Sequence, residues 1–142
     1  IFMSANQVVA FKTDKYIFGI DISKVEFIVK VPEVYKIPNI VNCIEGLINE
    51  NDKIYTIMNL RKRLGLNHAD LTEDSRIVIL NSQKSPVGLL VDDAKDIIEA
   101  DGEKTNIQDI ESEDFNKEYI SHILTKGEDN IYVLDTDKLF IF

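Results

Sequence analysis

The sequence is poor in the residues that build disulfide-linked or metal-binding domains. It has one cysteine, Cys43, two histidines, His68 and His122, and no tryptophan among 142 residues. One cysteine cannot form an internal disulfide framework and fits a reducing compartment. The histidines are 54 residues apart, and neither has a second ligand at the short spacing of a zinc site. We therefore expect no metal and no cofactor, and we expect Cys43 to be a buried structural thiol.

Basic residues are also scarce. The chain has 25 acidic and 16 basic residues, which gives a net charge of −9. A nucleic-acid-binding protein needs a basic face to neutralise phosphates, and an anionic membrane surface makes the same demand. The one basic cluster, Arg61-Lys62-Arg63, lies where a short helix should begin, and we interpret it as a solvated helix face. We therefore do not expect nucleic acid to be a partner.

Long apolar runs are absent as well. No stretch approaches the ~20 apolar residues that a membrane-spanning helix needs. The N-terminal residues show no charged region followed by an apolar core, so we expect no signal peptide. These observations predict a cytoplasmic protein with no direct membrane insertion.

The residues that are present favour short β-strands. Hydrophobic residues make up 44 % of the chain, which is enough to form a core. Residues 16–21 alternate between two faces, a short turn follows at Ser23, and a second apolar run over residues 27–31 stops at Pro32, which together are strand signals. Similar patterns predict strands over residues 7–13, 16–21, 27–31, 54–58, 76–80, 87–91, 95–99, 119–124 and 131–134.

Only short helices are expected. Asn59 can cap a helix over residues 60–64 that stops at Gly65. The apolar spacing of residues 40–45 predicts one or two further helical turns, closed by Gly46. The pattern predicts a last short helix over residues 135–139 and an acidic, irregular loop over residues 100–116.

The second half of the chain repeats the first. Residues 88–98 follow the pattern of residues 19–29, and the strand before each copy matches at the same offset of 69 residues. We therefore predict that residues 1–142 form one domain of two pseudo-repeated subdomains, about 8–65 and 76–140, which can exchange strands. Each copy alone would have a marginal core, so the apolar surface between two small barrels should be shared.

Several segments together resemble the CheW family of chemotaxis proteins. The match covers nearly the whole chain in order, through residues 16–25, 32–39, 44–49, 59–65, 87–92 and 134–139. The resemblance implies a mainly β fold of two five-stranded SH3-like barrels on a shared core, with a few short helices. It also implies a non-catalytic adaptor without cofactors. Its expected partners are the regulatory domain of a CheA-like histidine kinase and the cytoplasmic tip of a chemoreceptor.

The chain departs from the family pattern at four positions. Asn51 replaces an arginine that the family associates with receptor and kinase coupling, and Phe27 replaces a frequent glutamate. Thr56 stands at a usual proline and Asn59 at a usual aspartate. An amide cannot replace a guanidinium fork, so the partner contact is affected more than the fold.

The resemblance implies a partner-binding surface of nine residues. Three are apolar and belong to the first barrel. Core packing is an alternative for them, which we favour for Ile28, whereas an exposed Phe27 would be an apolar anchor. The other six are expected on loops near the groove between the barrels. For any one of them, exposure to solvent without a partner contact is the alternative that we favour. The nine residues are Val25, Phe27, Ile28, Tyr35, Lys36, Glu45, Asn49, Asn51 and Asp52.

Two other functions stay open at the level of sequence. A divergent regulatory or small-ligand-binding module would need an apolar, ligand-sized pocket between the barrels. An enzyme would need two titratable groups converging on a cleft, and the sequence places none together. The acids of residues 92–96 lack the spacing of a calcium loop.

Overall fold

The computed structural model describes residues 7–99, 103–105 and 114–142. Within these ranges the chain forms eleven short strands and two short helices, with 3-10 turns at Ile22–Lys24 and Lys117–Tyr119. The strands are β1 (Gln7–Thr13), β2 (Tyr16–Asp21), β3 (Val25–Lys30), β4 (Ile44–Glu50), β5 (Lys53–Asn59), β6 (Arg76–Leu80), β7 (Val87–Val91), β8 (Asp93–Glu99), β9 (Glu103–Thr105), β10 (Ile120–Lys126) and β11 (Asp129–Leu134). The helices are α1 (Leu60–Leu64) and α2 (Thr136–Leu139).

The strands form two separate sheets. In the first sheet the order is β8-β1-β2-β11-β10-β9, and in the second it is β3-β6-β7-β5-β4. The predicted mainly β fold of two small barrels with a few short helices is confirmed. The three-residue strand β9 adds a sixth strand to the first sheet.

Each sheet takes strands from both halves of the chain. The first sheet combines β1 and β2 with β8 to β11, and the second combines β6 and β7 with β3 to β5. The two halves join through a parallel pair in each sheet, β2 with β11 and β5 with β7, and through an antiparallel pair in each sheet, β1 with β8 and β3 with β6. We propose that this exchange reflects the duplication that the 69-residue offset predicts.

A large core lies between the sheets. It contains Phe18 and Ile123 from the first sheet and Met58 and Leu89 from the second, all fully buried. Leu64 and Leu139, from the two helices, close the same cluster. Each sheet also has a smaller cluster of its own. The shared apolar surface that the sequence predicts is therefore present.

Helix α1, which has local capping residues, and four of the strands have the bounds that the sequence predicts. The Asn59 side chain accepts a hydrogen bond from the Lys62 amide, and α1 ends at Gly65 in the left-handed conformation. The predicted bounds of α1 are confirmed, as are those of β1, β2, β6 and β7. The predicted acidic loop lies largely outside the described residues.

The helical turns predicted for residues 40–45 are wrong. Residues 42–43 form a turn, and β4 starts at Ile44. The Asn59 amide donates to the Cys43 carbonyl at 2.7 Å, so this segment joins the second sheet through its backbone. Gly46 does not close a helix but lies in β4 with φ +148°, where a side chain would collide with the Tyr35 carbonyl.

The solvated helix face predicted for residues 61–63 is also wrong. Arg61 and Arg63 bind acidic groups and carbonyl oxygens far away in the sequence, and the Arg61 side chain is only 13 % exposed. Because those partners are brought close by the fold, a local charge pattern could not predict them. Neither described helix is long and apolar enough to span a membrane.

Candidate functional site

Strand β3 carries the three apolar residues of the predicted surface. Val25, Phe27 and Val29 are half-buried, whereas Glu26, Ile28 and Lys30 are exposed. A bulge between Val25 and Phe27 shifts the register, so Val25 packs on the shared core and Phe27 on the small cluster of the second sheet. The single strand therefore touches two different cores.

Phe27 and Ile28 face opposite sides of β3. The Phe27 ring packs edge-on against the Tyr55 ring at 6.2 Å between centroids, inside the second barrel. Ile28 points away from that core and is 37 % exposed. The core assignment favoured for Ile28 is therefore wrong, and of the two alternatives for Phe27 the structure favours core packing. The contribution of either residue to partner binding stays a prediction.

Tyr35 lies beside the edge strand β4. Its backbone amide and carbonyl exchange hydrogen bonds of 2.8 Å with Leu47. Leu47 in turn opposes Thr56 on β5, and Ile54 projects from the same face two residues away. The Tyr35 side chain is 56 % exposed and that of Ile54 is 50 % exposed. Tyr35, Leu47 and Ile54 thus form an apolar row across three adjacent segments.

Asn51 and Asp52 form the tip of the β4–β5 hairpin. Both residues have positive φ angles, 54° and 63°, as a two-residue turn of this type requires. Their side chains are exposed, and so is Asn49, which opposes Ile54. The predicted loop position of Asn51 and Asp52 is confirmed. Asn49 itself lies in β4, so its predicted loop position is wrong.

Glu45 is the centre of a polar network rather than a solvated loop residue. Its carboxylate accepts from the Asn59 side-chain amide at 2.6 Å and from Lys36 at 3.2 Å, and it forms an ion pair with Lys62 at 3.4 Å. Burial alone would raise the pKa of Glu45, but these three partners outweigh it and hold that pKa below its usual value. The solvated loop position predicted for Glu45 is therefore wrong, whereas Lys36 is exposed as expected.

A second network, unforeseen from the sequence, surrounds Arg61. Its Nη2 donates to Asp92 Oδ2 at 2.6 Å and its Nε to Oδ1 at 3.1 Å, which forms a two-point pair. Its Nη1 contacts Asp14 Oδ1 at 3.1 Å and the Asn67 carbonyl at 2.9 Å. The network joins α1 to the β1–β2 turn and to the β7–β8 crossing.

The structure gathers most of the predicted surface on one edge of the second sheet. Tyr35, Lys36, Glu45, Asn49 and the hairpin tip all lie along β4 or beside it. Val25, Phe27 and Ile28 lie on β3, the opposite edge in the strand order. Sequence inspection missed Ile54, whose alternation with buried Tyr55 and Ile57 could have marked it as outward-facing.

The described residues provide little support for metal or ligand chemistry. They contain no group of three or more His, Cys, Asp or Glu side chains placed to hold a metal ion. Asp92, which belongs to the acidic run at residues 92–96, is engaged by Arg61. A cleft of about 220 Å³ lies beside Glu118, Tyr119, Lys138 and Ile141. That volume is below the ~300 Å³ at which ligand pockets usually begin.

Comparisons with known proteins agree on one family. The family model of the CheW-like domain matches residues 7–141. The chemotaxis protein CheW of Treponema pallidum is 33 % identical over 138 residues, which cover 94 % of this chain and 81 % of that protein. The chemotaxis protein CheW of Thermotoga maritima is 26 % identical over 133 residues, which cover 94 % and 86 %.

A solved structure also matches the fold. The crystal structure of the scaffolding protein TtCheW from Thermoanaerobacter tengcongensis superposes with a TM-score of 0.88 at 27 % identity. The alignment covers 97 % of this chain and 94 % of that one. Sequence and fold similarity therefore extend over almost the same residues.

Proposed function

The chain belongs to the CheW family, and we propose that it is a cytoplasmic, non-catalytic adaptor that couples chemoreceptors to a CheA-type histidine kinase. The observation that carries this proposal is the agreement of the family match over residues 7–141 with the fold match to a scaffolding protein. Fold alone cannot assign function, so the proposal also needs a surface suited to binding.

The apolar row of Tyr35, Leu47 and Ile54 supports kinase binding. Two of its three side chains are at least half exposed; Leu47 and Ile54 lie on paired strands, and backbone hydrogen bonds hold Tyr35 beside Leu47. Exposed apolar and aromatic side chains next to a polar rim are typical of protein interfaces. Lys36, Asn49 and Asp52 provide such a rim. We propose that a barrel of the kinase regulatory domain docks on this row.

The hairpin tip supports an altered receptor contact. Asn51 is exposed at the position where the family usually has arginine. An amide offers two donors without charge, whereas arginine offers a charged planar fork. We propose that this chain binds a receptor tip whose contact there is neutral, or binds the usual tip more weakly.

Both contacts are expected to be modest. Interfaces of this kind bury on the order of 1,000 Å² or less, and they bind weakly in isolation. Many copies in an array would then supply the avidity. The signal would pass as a shift in the populations of kinase states, with no chemistry in this chain.

Calorimetric titration with the kinase regulatory domain tests the first contact. We expect binding with a Kd of roughly micromolar size, as weak interfaces have. Ile54→Asp should weaken it at least tenfold, because a carboxylate would be buried in the row. Leu71→Asp is the matched control, since Leu71 is similarly exposed but lies in the connector before β6. Equal losses for both variants, or no binding by the native chain, would reject the proposed surface.

Titration with a receptor-tip fragment tests the second contact. Asn51→Arg should raise the affinity for a tip of the usual type, because it restores the guanidinium fork. Asn51→Lys is the control, since it adds the same charge and the same left-handed strain without the fork. An arginine variant that binds no better than the lysine variant would contradict the assignment.

A further inference from the structure

Strand β3 is an open edge of the second sheet. It stands outermost in the strand order, and of the described strands it pairs only with β6. In a strand with one neighbour, alternate residues direct their amide and carbonyl groups away from that neighbour, where another strand can bind them. Phe27 and Val29 face the small cluster of this sheet but are only half-buried, and no described strand continues the sheet beyond β3. The edge can therefore accept a further strand.

The bounds of β3 restrict how a second strand can pair with it. The 3-10 turn before β3 ends at Lys24, and Pro32 has no amide hydrogen to donate, so the usable edge is residues 25–31. Ile28 is the middle residue of this range. The bulge is confined to the start of the strand, and residues 27–30 keep a regular register with β6. A second copy of the same strand, running antiparallel, uses the whole edge only when Ile28 lies opposite Ile28 of that copy.

The exposed side chains of β3 are complementary to themselves in that register. Glu26, Ile28 and Lys30 are exposed on the same face of the strand. With Ile28 opposite Ile28, Glu26 lies opposite Lys30 of the second copy, and Lys30 lies opposite its Glu26. Within the described part of the chain, neither charge has an ion-pair partner. Opposite charges across two antiparallel strands attract each other, so the pairing gives each of these side chains a partner.

The neighbouring antiparallel registers lack this complementarity. Because side chains alternate between faces, a register that keeps the faces together can shift only in steps of two residues. A shift in one direction places Lys24 opposite Lys30, and a shift in the other places Glu26 opposite Pro32 and Lys30 opposite Ile28. Neither pairs opposite charges. The net charge of −9 also disfavours contacts between copies that lack such pairs.

We propose that this chain forms a symmetric dimer through β3, in which the second sheets of two copies join into one continuous sheet. This interface goes beyond the adaptor function and does not depend on it. The joined edge is short, so the dimer is weak and forms at high local concentration. The row of Tyr35, Leu47 and Ile54 lies at the other edge of the sheet and is not part of this pairing.

Charge reversal tests the dimer by sedimentation equilibrium at physiological ionic strength. We expect the native chain to self-associate below about 1 mM, as weak interfaces do. Glu26→Lys places lysine opposite Lys30, and Lys30→Glu places glutamate opposite Glu26, so each variant alone should self-associate at least tenfold more weakly. An equimolar mixture of the two should recover association, because each copy supplies the charges that the other lacks. Lys126→Glu, at an exposed position that ends β10, is the control for the change in net charge and should behave like the native chain.

A substitution of Ile28 tests the surface. Ile28→Asp should weaken self-association at least tenfold, because two carboxylates would meet at the centre of the interface. Ile97→Asp is the matched control and should leave it unchanged: Ile97 is 58 % exposed on β8, 69 residues after Ile28. The circular dichroism of each variant verifies that the fold is intact.

Three results would overturn the proposal. The first is a native chain that stays monomeric at about 1 mM, a concentration at which weak interfaces form. The second is a mixture of Glu26→Lys with Lys30→Glu that associates no better than either variant alone. The third is self-association that Ile97→Asp weakens and Ile28→Asp does not. If the native chain is monomeric and Glu26→Lys instead weakens binding of the kinase regulatory domain, the edge belongs to that partner.

Discussion

At the scale of single residues, Arg61 connects α1 to two segments that are distant in the sequence. It binds Asp92 at the crossing between the sheets and Asp14 in the β1–β2 turn. The Asp14 amide also donates to Asp92 at 2.9 Å, so both acids are fixed. Burial alone would raise the pKa of Asp92, but the Arg61 hydrogen bonds, the Asp14 amide and nearby positive charge hold it below the ordinary value of 3.8.

The lowered pKa makes the contribution of this network depend on pH. A carboxyl group with a folded-state pKa below its unfolded value stabilises the fold above the unfolded pKa, and this stabilisation is lost as the pH falls through the folded pKa. We expect Arg61→Met to cost about 1–2 kcal/mol at pH 7, because it leaves the partly buried Asp92 carboxylate with the Asp14 amide but without its cation. The difference from the native chain should shrink as the pH falls below 3.8. Urea unfolding at several pH values measures it.

Lys30→Ala is the control for the Arg61 variant. Lys30 is exposed at the end of β3, so its removal should change the free energy of unfolding by less than about 0.5 kcal/mol. A loss at Arg61 that stays constant down to pH 2 would contradict the role given to Asp92.

Asn59 explains one departure from the family pattern. Its Oδ1 accepts from the Lys62 amide and caps α1, while its Nδ2 donates to Glu45 at 2.6 Å. The aspartate usual in the family would keep the cap but place a second carboxylate against Glu45. Asparagine at position 59 and glutamate at position 45 are therefore compatible, and aspartate at 59 would not be.

Asn59→Asp should destabilise the fold by about 1–2 kcal/mol through lost hydrogen bonding and like-charge repulsion. Adding Glu45→Gln should recover part of this loss, because the new amide can donate to the aspartate. A double-mutant cycle of unfolding free energies measures the coupling. Additive effects would show that the two side chains do not depend on each other.

Residue patterns predicted the features that depend on neighbouring residues, and they missed the contacts between residues that only the fold brings together. The Asn59 cap and the Asn51–Asp52 turn depend on neighbouring residues, and both are confirmed. Arg61 and Arg63 bind acidic groups and carbonyl oxygens 31 to 78 positions away. Because the sequence does not show these partners, we predicted a solvated helix face for residues 61–63. The inward direction of Phe27 follows the period-2 alternation of β3, but the core that Phe27 contacts differs from that of Val25 across a bulge that the sequence does not reveal.

At the scale of elements, β4 shows why apolar spacing can mislead. Residues 40–48 have a helix-like apolar period, but a register shift between Ile44 and Gly46 lets the strand follow β5. Gly46 permits that shift through its positive φ of 148° and its lack of a side chain near Tyr35. The Tyr35 bridge then covers part of the exposed edge of β4.

Gly46→Ala tests this account of β4. The new methyl group would meet the Tyr35 backbone, so we expect a loss of at least about 2 kcal/mol in unfolding free energy. Gly127→Ala is the matched control: Gly127 also has a positive φ, 63°, but open space around it, and it should cost about 1 kcal/mol. Equal losses for the two variants would mean that strain alone, without the Tyr35 contact, explains the effect.

At the scale of the whole molecule, the two halves cannot complete their sheets separately. In the second sheet β6 and β7 lie between β3 and β5, so the first half alone cannot join these two strands. In the first sheet β11 pairs with β2, so the first half alone leaves that edge of β2 unpaired. The shared core also takes side chains from both halves. Folding is therefore expected to be a single cooperative transition.

Cutting the chain in the exposed connector between α1 and β6 tests this interdependence. We expect fragments 1–70 and 71–142 to be unfolded when separate, because each lacks strands that its sheets require. Mixed in equal amounts they should recover the native circular dichroism and NMR spectra. A fragment that folds alone would contradict the exchange of strands as the basis of stability.

The most direct test of the adaptor function is whether this chain joins a kinase to a receptor. The measurement is sedimentation of a CheA-type kinase with vesicles that carry the chemoreceptor, as the concentration of this chain is raised. We predict that the kinase sediments with the vesicles only when the chain is present, and that Ile54→Asp prevents this while Leu71→Asp does not. Kinase that stays in the supernatant at every concentration, or sediments equally without the chain, would contradict the proposed function.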